Sequence, residues 1–265
     1  MYQSFEAATR PDQGPPRLAA LREELRAEGL SGFLVPRADQ HQGEYVAPCD
    51  ERLAWLTGFT GSAGFAIVLA DRAGIFVDGR YRVQVKAQVD TAHFTPVDWP
   101  ETKPGPWLKD ALPEGGAVGF DPWLHTAGEI EAMRTALKGT GVTLTPTANL
   151  VDRIWTDRPD RPAEPVCKYP KELAGAGDET KRARIAEALR EAGHRAAVLT
   201  LPDSICWLLN IRGNDIPRIP VTQAFGVVLD DGHLLLFSDV EKFTRLGPDP
   251  GIELAGWDSF EPALA

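Results

Sequence analysis

Leu25-Arg-Ala-Glu-Gly29-Leu-Ser-Gly-Phe33-Leu-Val-Pro36 is echoed 164 positions later by Leu189-Arg-Glu-Ala-Gly193-His-Arg-Ala-Ala197-Val-Leu-Thr200. In both copies a helical pattern comes first, with Leu18, Leu21 and Leu25, then Ile185 and Leu189, setting apolar side chains on one face at three- and four-residue steps. Gly29 and Gly193 follow, and glycine reaches the left-handed conformation that ends a helix at no steric cost. Phe33-Leu-Val and Ala197-Val-Leu then supply short apolar runs of the buried-strand kind.

The likeness resumes downstream, where Phe65-Ala-Ile-Val-Leu-Ala-Asp71 matches Phe225-Gly-Val-Val-Leu-Asp-Asp231. Each is followed by a second apolar run, Gly74-Ile-Phe-Val77 and Leu234-Leu-Leu-Phe237, across the polar connections Asp71-Arg72-Ala73 and Asp230-Asp231-Gly232. Those connections predict hairpins. Just before them lie two tryptophan-leucine segments, Arg52-Leu-Ala-Trp55-Leu-Thr-Gly58 and Ile205-Cys-Trp207-Leu-Leu-Asn-Ile-Arg212-Gly213. Four matched elements in one order predict a tandem duplication: an α/β chain of two related domains, each a mixed β-sheet flanked by helices.

Between the copies runs Thr156-Asp-Arg-Pro159-Asp-Arg-Pro162-Ala-Glu-Pro165-Val-Cys-Lys-Tyr-Pro170, where repeated prolines remove backbone donors. The expected division is a first domain over 1–157, a proline-rich linker over 158–175 and a second domain over 176–265. Trp99-Pro100-Glu-Thr-Lys-Pro104-Gly-Pro106 predicts an internal loop, ahead of a weaker alternation of helix and strand through Leu150.

A length of 265 residues exceeds the roughly 150 typical of one domain, in keeping with two. The 43% hydrophobic and 25% charged content excludes disordered, collagenous and coiled-coil classes. Lys and Arg number 28 against 38 Asp and Glu, and the resulting charge of −10 repels phosphate backbones, so no nucleic acid and no anionic membrane is expected as a partner. Cys49, Cys167 and Cys206 form no CxxC pair and read as reduced thiols. Residues 1–10 lack a basic region followed by an apolar run, and no run nears the roughly 18 apolar residues of a membrane span. A cytoplasmic location is expected.

Several residues invite chemistry. His41 and Glu44 have the three-residue spacing that sets two ligands on one helical face, with Asp39, Asp50 and Glu51 nearby, but Gly43 and Pro48 break the helix that geometry needs. A polar or substrate-facing loop is the reading, with no metal in this chain. Asp121-Pro-Trp-Leu-His125 reads as the start of a turn or a first helical turn. Gly58-Phe-Thr-Gly61-Ser62-Ala-Gly64 lacks the lysine of a phosphate loop, and Thr60 stands where a nucleophile elbow needs glycine. Its glycines are expected to let the backbone bend tightly or approach another segment.

Asp78-Gly79-Arg80-Tyr81 closes the first hairpin as a turn. Arg80 reads either as a surface ion pair or as a guanidinium presented to a carboxylate or peptide carbonyl. No catalytic set is complete in this chain.

The run Asp39-Gln-His-Gln-Gly-Glu44-Tyr45-Val-Ala-Pro48-Cys49-Asp50-Glu-Arg52, with Gly58 to Gly64 and Asp78-Gly-Arg-Tyr81, resembles the first domain of the three-domain Xaa-Pro aminopeptidases, also called aminopeptidase P. Asn149-Leu-Val-Asp152-Arg-Ile-Trp155-Thr-Asp-Arg-Pro159 resembles that family's junction between first and second domains, and Trp207-Leu-Leu-Asn-Ile-Arg212-Gly-Asn-Asp215-Ile-Pro217 its second domain. The resemblance implies two creatinase-N-like domains, the second cut short at its C-terminal end. For the whole protein it implies a hydrolase, a cytosolic metallopeptidase that removes the residue preceding proline from peptide N-termini, with two manganese ions in a third, pita-bread domain absent here.

It further implies that Arg80 reaches the active site and contacts bound peptide, that this chain gates substrate and shares in a homodimer, and that alone it is inactive. Peptides with proline second and the catalytic domain itself are the implied partners. A stand-alone binding module without peptidase activity is the alternative.

Overall fold

The computed structural model describes residues 9–265, so the reading of residues 1–8 lies outside the described residues. The chain divides between Pro159 and Asp160 into two compact units.

The first unit runs α1 (Gly14–Ala27), β1 (Gly32–Pro36), α2 (Arg52–Thr57), β2 (Phe65–Leu69), β3 (Ala73–Val77), α3 (Gln84–Gln88), β4 (Thr95–Asp98), α4 (Pro104–Ala111), β5 (Gly116–Phe120), α5 (Ala127–Ala136), β6 (Val142–Pro146) and α6 (Leu150–Ile154). Its sheet has the order β4-β3-β2-β1-β5-β6. The β1–β2 and β2–β3 pairs are antiparallel; β3–β4, β1–β5 and β5–β6 are parallel, making the sheet mixed as expected.

Both faces of this sheet are covered, which is why its central strands are continuous apolar runs rather than alternating ones. Leu18, Leu21 and Leu25 of α1 pack with Phe33, Val35, Ala66 and Val68 on one face. Leu34, Ile67, Leu69 and Phe76 meet Leu108 of α4 and Ile130 of α5 on the other. Gly29 ends the α1 turn at φ 65°, and Gly193 does the same in the second unit at φ 70°.

The stretch expected as a loop at 99–106 instead ends by opening α4, with Pro104 and Pro106 in its first turn. There the backbone N–H groups have no intrahelical acceptor, so proline loses nothing.

The second unit contains β7 (Cys167–Lys168), α7 (Lys171–Ala174), α8 (Asp178–Glu191), β8 (Ala196–Leu199), α9 (Pro202–Leu209), β9 (Ile211–Arg212), β10 (Phe225–Leu229), β11 (Leu234–Phe237), β12 (Ile252–Ala255) and α10 (Phe260–Leu264). Its main sheet has the order β12-β11-β10-β8, with β10 antiparallel to both neighbours and β11–β12 parallel. Ile205, Leu208, Val228, Leu234 and Leu236 centre its core.

The second half of the stretch expected as a linker folds with this unit. Val166 is fully buried in its core, and β7 pairs with β9 through Cys167 with Arg212 and Lys168 with Ile211. The prolines bar a helix over 159–165, but between Pro165 and Pro170 every residue keeps its backbone donor. Tyr169 spends its own on the Asn210 carbonyl at 2.7 Å.

Candidate functional site

Arg80 follows β3 by three residues, in a turn built by Asp78. The Asp78 Oδ1 accepts the Arg80 backbone N–H at 2.9 Å, and the same carboxylate takes the Arg80 Nε at 3.2 Å and Nη2 at 2.8 Å. These bonds hold the Asp78 carboxyl below its usual range and push the Arg80 guanidinium up. The guanidinium also stands 5.1 Å from the Tyr81 ring centroid. Its side chain nonetheless keeps 63% of its surface exposed, so it is held at its root while its outer face is free to meet a ligand.

Tyr81 carries the arrangement inward. Its hydroxyl lies 2.8 Å from Ser62 Oγ, which donates in turn to Glu44 Oε1 at 3.1 Å. Glu44 contributes to the electrostatic field at the Arg80 guanidinium. Three separate motif stretches, around Glu44, Ser62 and Arg80, thus meet in one place. Ser62 has a carboxylate and a phenol as partners, not an imidazole, so nothing there makes it a nucleophile.

The glycines of 58–64 do what their spacing predicts. A Cβ on Gly61 would run into the Phe59 ring and lie 2.8 Å from Tyr81 Cδ1. The Phe59 and Tyr81 rings pack edge to face at 5.6 Å, over backbone that only glycine allows this close. Thr60 and Gln88 clasp the loop from behind, the Thr60 N–H donating to Gln88 Oε1 at 3.0 Å and Gln88 Nε2 to Thr60 Oγ1 at 2.9 Å.

His41 and Glu44 lie in different settings. Asp39 Oδ1 accepts the backbone N–H of His41 at 2.9 Å and of Gly43 at 3.3 Å, in a turn that buries His41 while Glu44 stays exposed. Burial pushes the Asp39 carboxyl up, opposed by the nearby His41. Among the described residues no group of three or more His, Cys, Asp or Glu side chains gathers so as to hold a metal ion. Asp121 is a helical start: it accepts the Trp123 N–H at 2.9 Å and caps the short 3-10 turn Pro122–Leu124. His125 beside it packs on Phe120, and burial lowers its pKa.

One feature of the site escapes sequence reasoning. Arg52 is buried and donates to Asp50 Oδ1 at 2.9 Å and to both oxygens of Asp152, at 2.6 and 3.0 Å. Arg158 joins through Asp152 Oδ2 at 2.7 Å and the Cys49 carbonyl at 2.7 Å. This network ties the 39–52 loop to α6 and the chain just beyond it. No local pattern announces it, because its two-point pair joins Arg52 to Asp152 across a hundred positions.

In the second unit, Asp215 is fully buried and accepts from Lys242 Nζ, Thr222 Oγ1 at 3.1 Å and the Gln223 N–H at 2.6 Å. Arg212 lies over the Tyr169 ring at 4.2 Å. The charged residues of the 207–217 stretch therefore brace their own unit.

Two copies of one mixed α/β unit, the first ending its central hairpin in the Asp78–Tyr81 turn, define the class. The chain belongs to the creatinase/prolidase N-terminal domain family, which it matches twice, over residues 17–154 and 157–255. Among individual proteins, it is 39% identical over 248 residues to a probable Xaa-Pro aminopeptidase P of Coccidioides posadasii, covering 92% of this chain and 38% of that protein. To a probable Xaa-Pro aminopeptidase P of Pyricularia oryzae it is 35% identical over 240 residues, 86% of this chain and again 38% of the relative. The crystal structure of an X-prolyl aminopeptidase from Caenorhabditis elegans, described as a cytosolic enzyme with a di-nuclear active site, superimposes with a TM-score of 0.86 at 30% identity, over 95% of this chain and 43% of that one. The chain thus spans little more than a third of the length of the curated relatives it matches.

Proposed function

We propose that this chain is the N-terminal region of an Xaa-Pro aminopeptidase, and that Arg80 grips the peptide whose first residue, preceding proline, the whole protein removes. The observation that carries the reading is the Glu44–Ser62–Tyr81–Arg80 chain of contacts, which gathers the three motif stretches behind an exposed guanidinium.

A guanidinium is planar, permanently charged and rich in donors, suited to a peptide carbonyl or carboxylate. Asp78 and the Tyr81 ring fix its base, so fewer conformations are lost when a peptide binds. Held beside the mouth of a catalytic cleft, such a group narrows entry and aligns the peptide end. Gating of substrate, a share in a homodimer and a cytoplasmic setting belong to the same proposal.

The hydrolytic metal pair, two manganese ions on this reading, has no fitting donor set among the described residues. Glu44 is engaged by Ser62, and His41 is buried. No step of the hydrolysis is therefore assigned to this chain, whose part is to hold and orient peptide.

The test is steady-state cleavage of an Xaa-Pro tripeptide by the protein expressed from its full reading frame. Arg80→Ala is expected to raise KM about 10- to 100-fold with a smaller change in kcat, the loss of one or two charge-assisted hydrogen bonds. Residues 1–265 alone are expected to give no turnover with manganese present. Turnover by this fragment, or an unchanged KM in the variant, would overturn the reading; a full-length product without peptidase activity would favour a stand-alone binding module.

A further inference from the structure

Arg37 stands directly after β1, and its side chain, only 8% exposed, is spent on loops rather than on the sheet. Its Nη1 donates to the Glu44 carbonyl and also to the Ser62 carbonyl at 3.4 Å, while Nη2 lies 3.6 Å from Glu51 Oε1. The Arg37 backbone N–H donates to the Gly64 carbonyl at 3.2 Å. One residue thus holds the 39–52 loop at Glu44 and Glu51 and the 58–64 loop at Ser62 and Gly64.

As a means of stabilising the fold this arrangement is poor. A guanidinium taken out of water needs a close counter-charge, and Glu51 stands too far off for a hydrogen bond, its carboxyl pushed up by its own burial. Arg37 Nε is buried with no hydrogen-bond partner among the described residues, which destabilises further. The neighbouring core does not call for the charge, since Phe33 and Val35 of β1 pack with Ala66 and Val68 of β2 among apolar side chains. What the guanidinium supplies is register between two loops. Glu44 and Ser62, whose carbonyls it bridges, are the same two residues whose side chains meet, Ser62 Oγ donating to Glu44 Oε1 at 3.1 Å and lying 2.8 Å from the Tyr81 hydroxyl.

We propose that Arg37 is a positioning residue for peptide binding: it fixes the Glu44 and Ser62 backbones against each other, so that their side chains hold Tyr81, whose ring backs the Arg80 guanidinium. Arg37 acts through Ser62 and Tyr81 and touches no peptide itself. The inference rests on the reading of Arg80 as the group that grips peptide, and it names what keeps that group in place.

The test uses Arg37→Met, which keeps an unbranched apolar stem and removes the guanidinium. In residues 1–265, hydrogen exchange is expected to speed up about 10-fold or more across 39–46 and 58–64, while the β1 and β2 amides keep wild-type protection. In the protein expressed from its full reading frame, KM for an Xaa-Pro tripeptide is expected to rise about 5- to 20-fold with kcat within about 2-fold of wild type. Arg37→Lys, whose ammonium still reaches a carbonyl, should fall between. Arg37→Met added to Arg80→Ala should raise KM little further, because both changes act on one contact. KM effects that multiply in the double variant, or protection lost across β1 and β2 as well, would make Arg37 a brace of the fold and overturn the proposal. An unchanged KM in Arg37→Met, where Arg80→Ala raises it, would overturn this inference and leave the peptidase reading standing. An unchanged KM in Arg80→Ala would remove that reading and this inference with it.

Discussion

Arg52 and Asp152, a hundred positions apart, meet in a two-point ion pair, Nε to Oδ1 at 2.6 Å and Nη2 to Oδ2 at 3.0 Å. The Arg52 side chain is 6% exposed, so its charge is balanced by Asp50 and Asp152 rather than by water. The pair joins the loop carrying Glu44 to the C-terminal end of the first unit. Arg52→Ala strips two partly buried carboxylates of their main cation, and a loss of about 3 kcal/mol is expected in urea unfolding of the first unit. Arg52→Lys cannot span both oxygens and should recover only part of it. Equal stability of wild type and Arg52→Ala would show that the network is not what fastens the loop.

Gly61 tests the close packing behind Arg80. Gly61→Ala puts a methyl group against Phe59 and Tyr81, at 2.8 Å from Tyr81 Cδ1, and a destabilisation of about 1 to 3 kcal/mol is expected as the rings shift. Gly79→Ala, one turn away, meets nothing within 4 Å at an ordinary φ and should move the melting temperature by little. A Gly61→Ala protein as stable as Gly79→Ala would mean that the rings yield freely.

The cysteines give a pH prediction. Burial, aided by Asp50, pushes the Cys49 thiol up to about 11, and burial raises Cys206 to about 11 as well, while Cys167 is exposed. Iodoacetamide at pH 8.5 should therefore modify Cys167 first and reach the other two only on unfolding. The sign for stability follows from the native state holding these thiol protons more tightly than the unfolded chain does. Their contribution is complete below the unfolded value near 9 and is lost as pH rises toward about 11. Chemical unfolding at pH 8 and pH 10.5 measures it, and Cys49→Ala with Cys206→Ala should flatten part of the decline.

The duplication, the hairpins and the helix-ending glycines were legible because each is local: a period, a turn signature or a backbone demand is written in consecutive residues. The 158–175 stretch was only half legible. Its prolines forbid regular structure where they stand, but they say nothing of Val166, whose burial depends on a core assembled from residues far downstream. Arg80 could be singled out from its turn, and the glycines of 58–64 from their spacing. The Glu44–Ser62–Tyr81 relay could not, since its members lie 18 and 19 positions apart and meet only once β2 and β3 are paired. The loop reading at His41 and Glu44 rests on Gly43 and Pro48 breaking a helix, a local signal, and the turn around Asp39 stands there.

Asp78 gives the last prediction, which rests on the proposed reading of Arg80. The side chain does two things at once: Oδ1 accepts the Arg80 backbone N–H, shaping the turn, and the carboxylate charge holds the guanidinium. Asp78→Asn keeps an acceptor for the turn and removes the charge, so it separates the two roles. The pair is exposed on its arginine side, and pairs of that kind contribute within about 1 kcal/mol, so stability should hardly change. What should change is the ordering of Arg80, with KM of the full-length protein for an Xaa-Pro peptide rising a few-fold, kcat nearly constant, and the difference from wild type shrinking at high salt as the native pair is screened. Asp78→Ala, which loses the turn acceptor too, should add a stability loss of about 1 kcal/mol to the same KM effect. If Asp78→Asn instead lowered KM, the carboxylate would be competing with the peptide for Arg80 rather than preparing it.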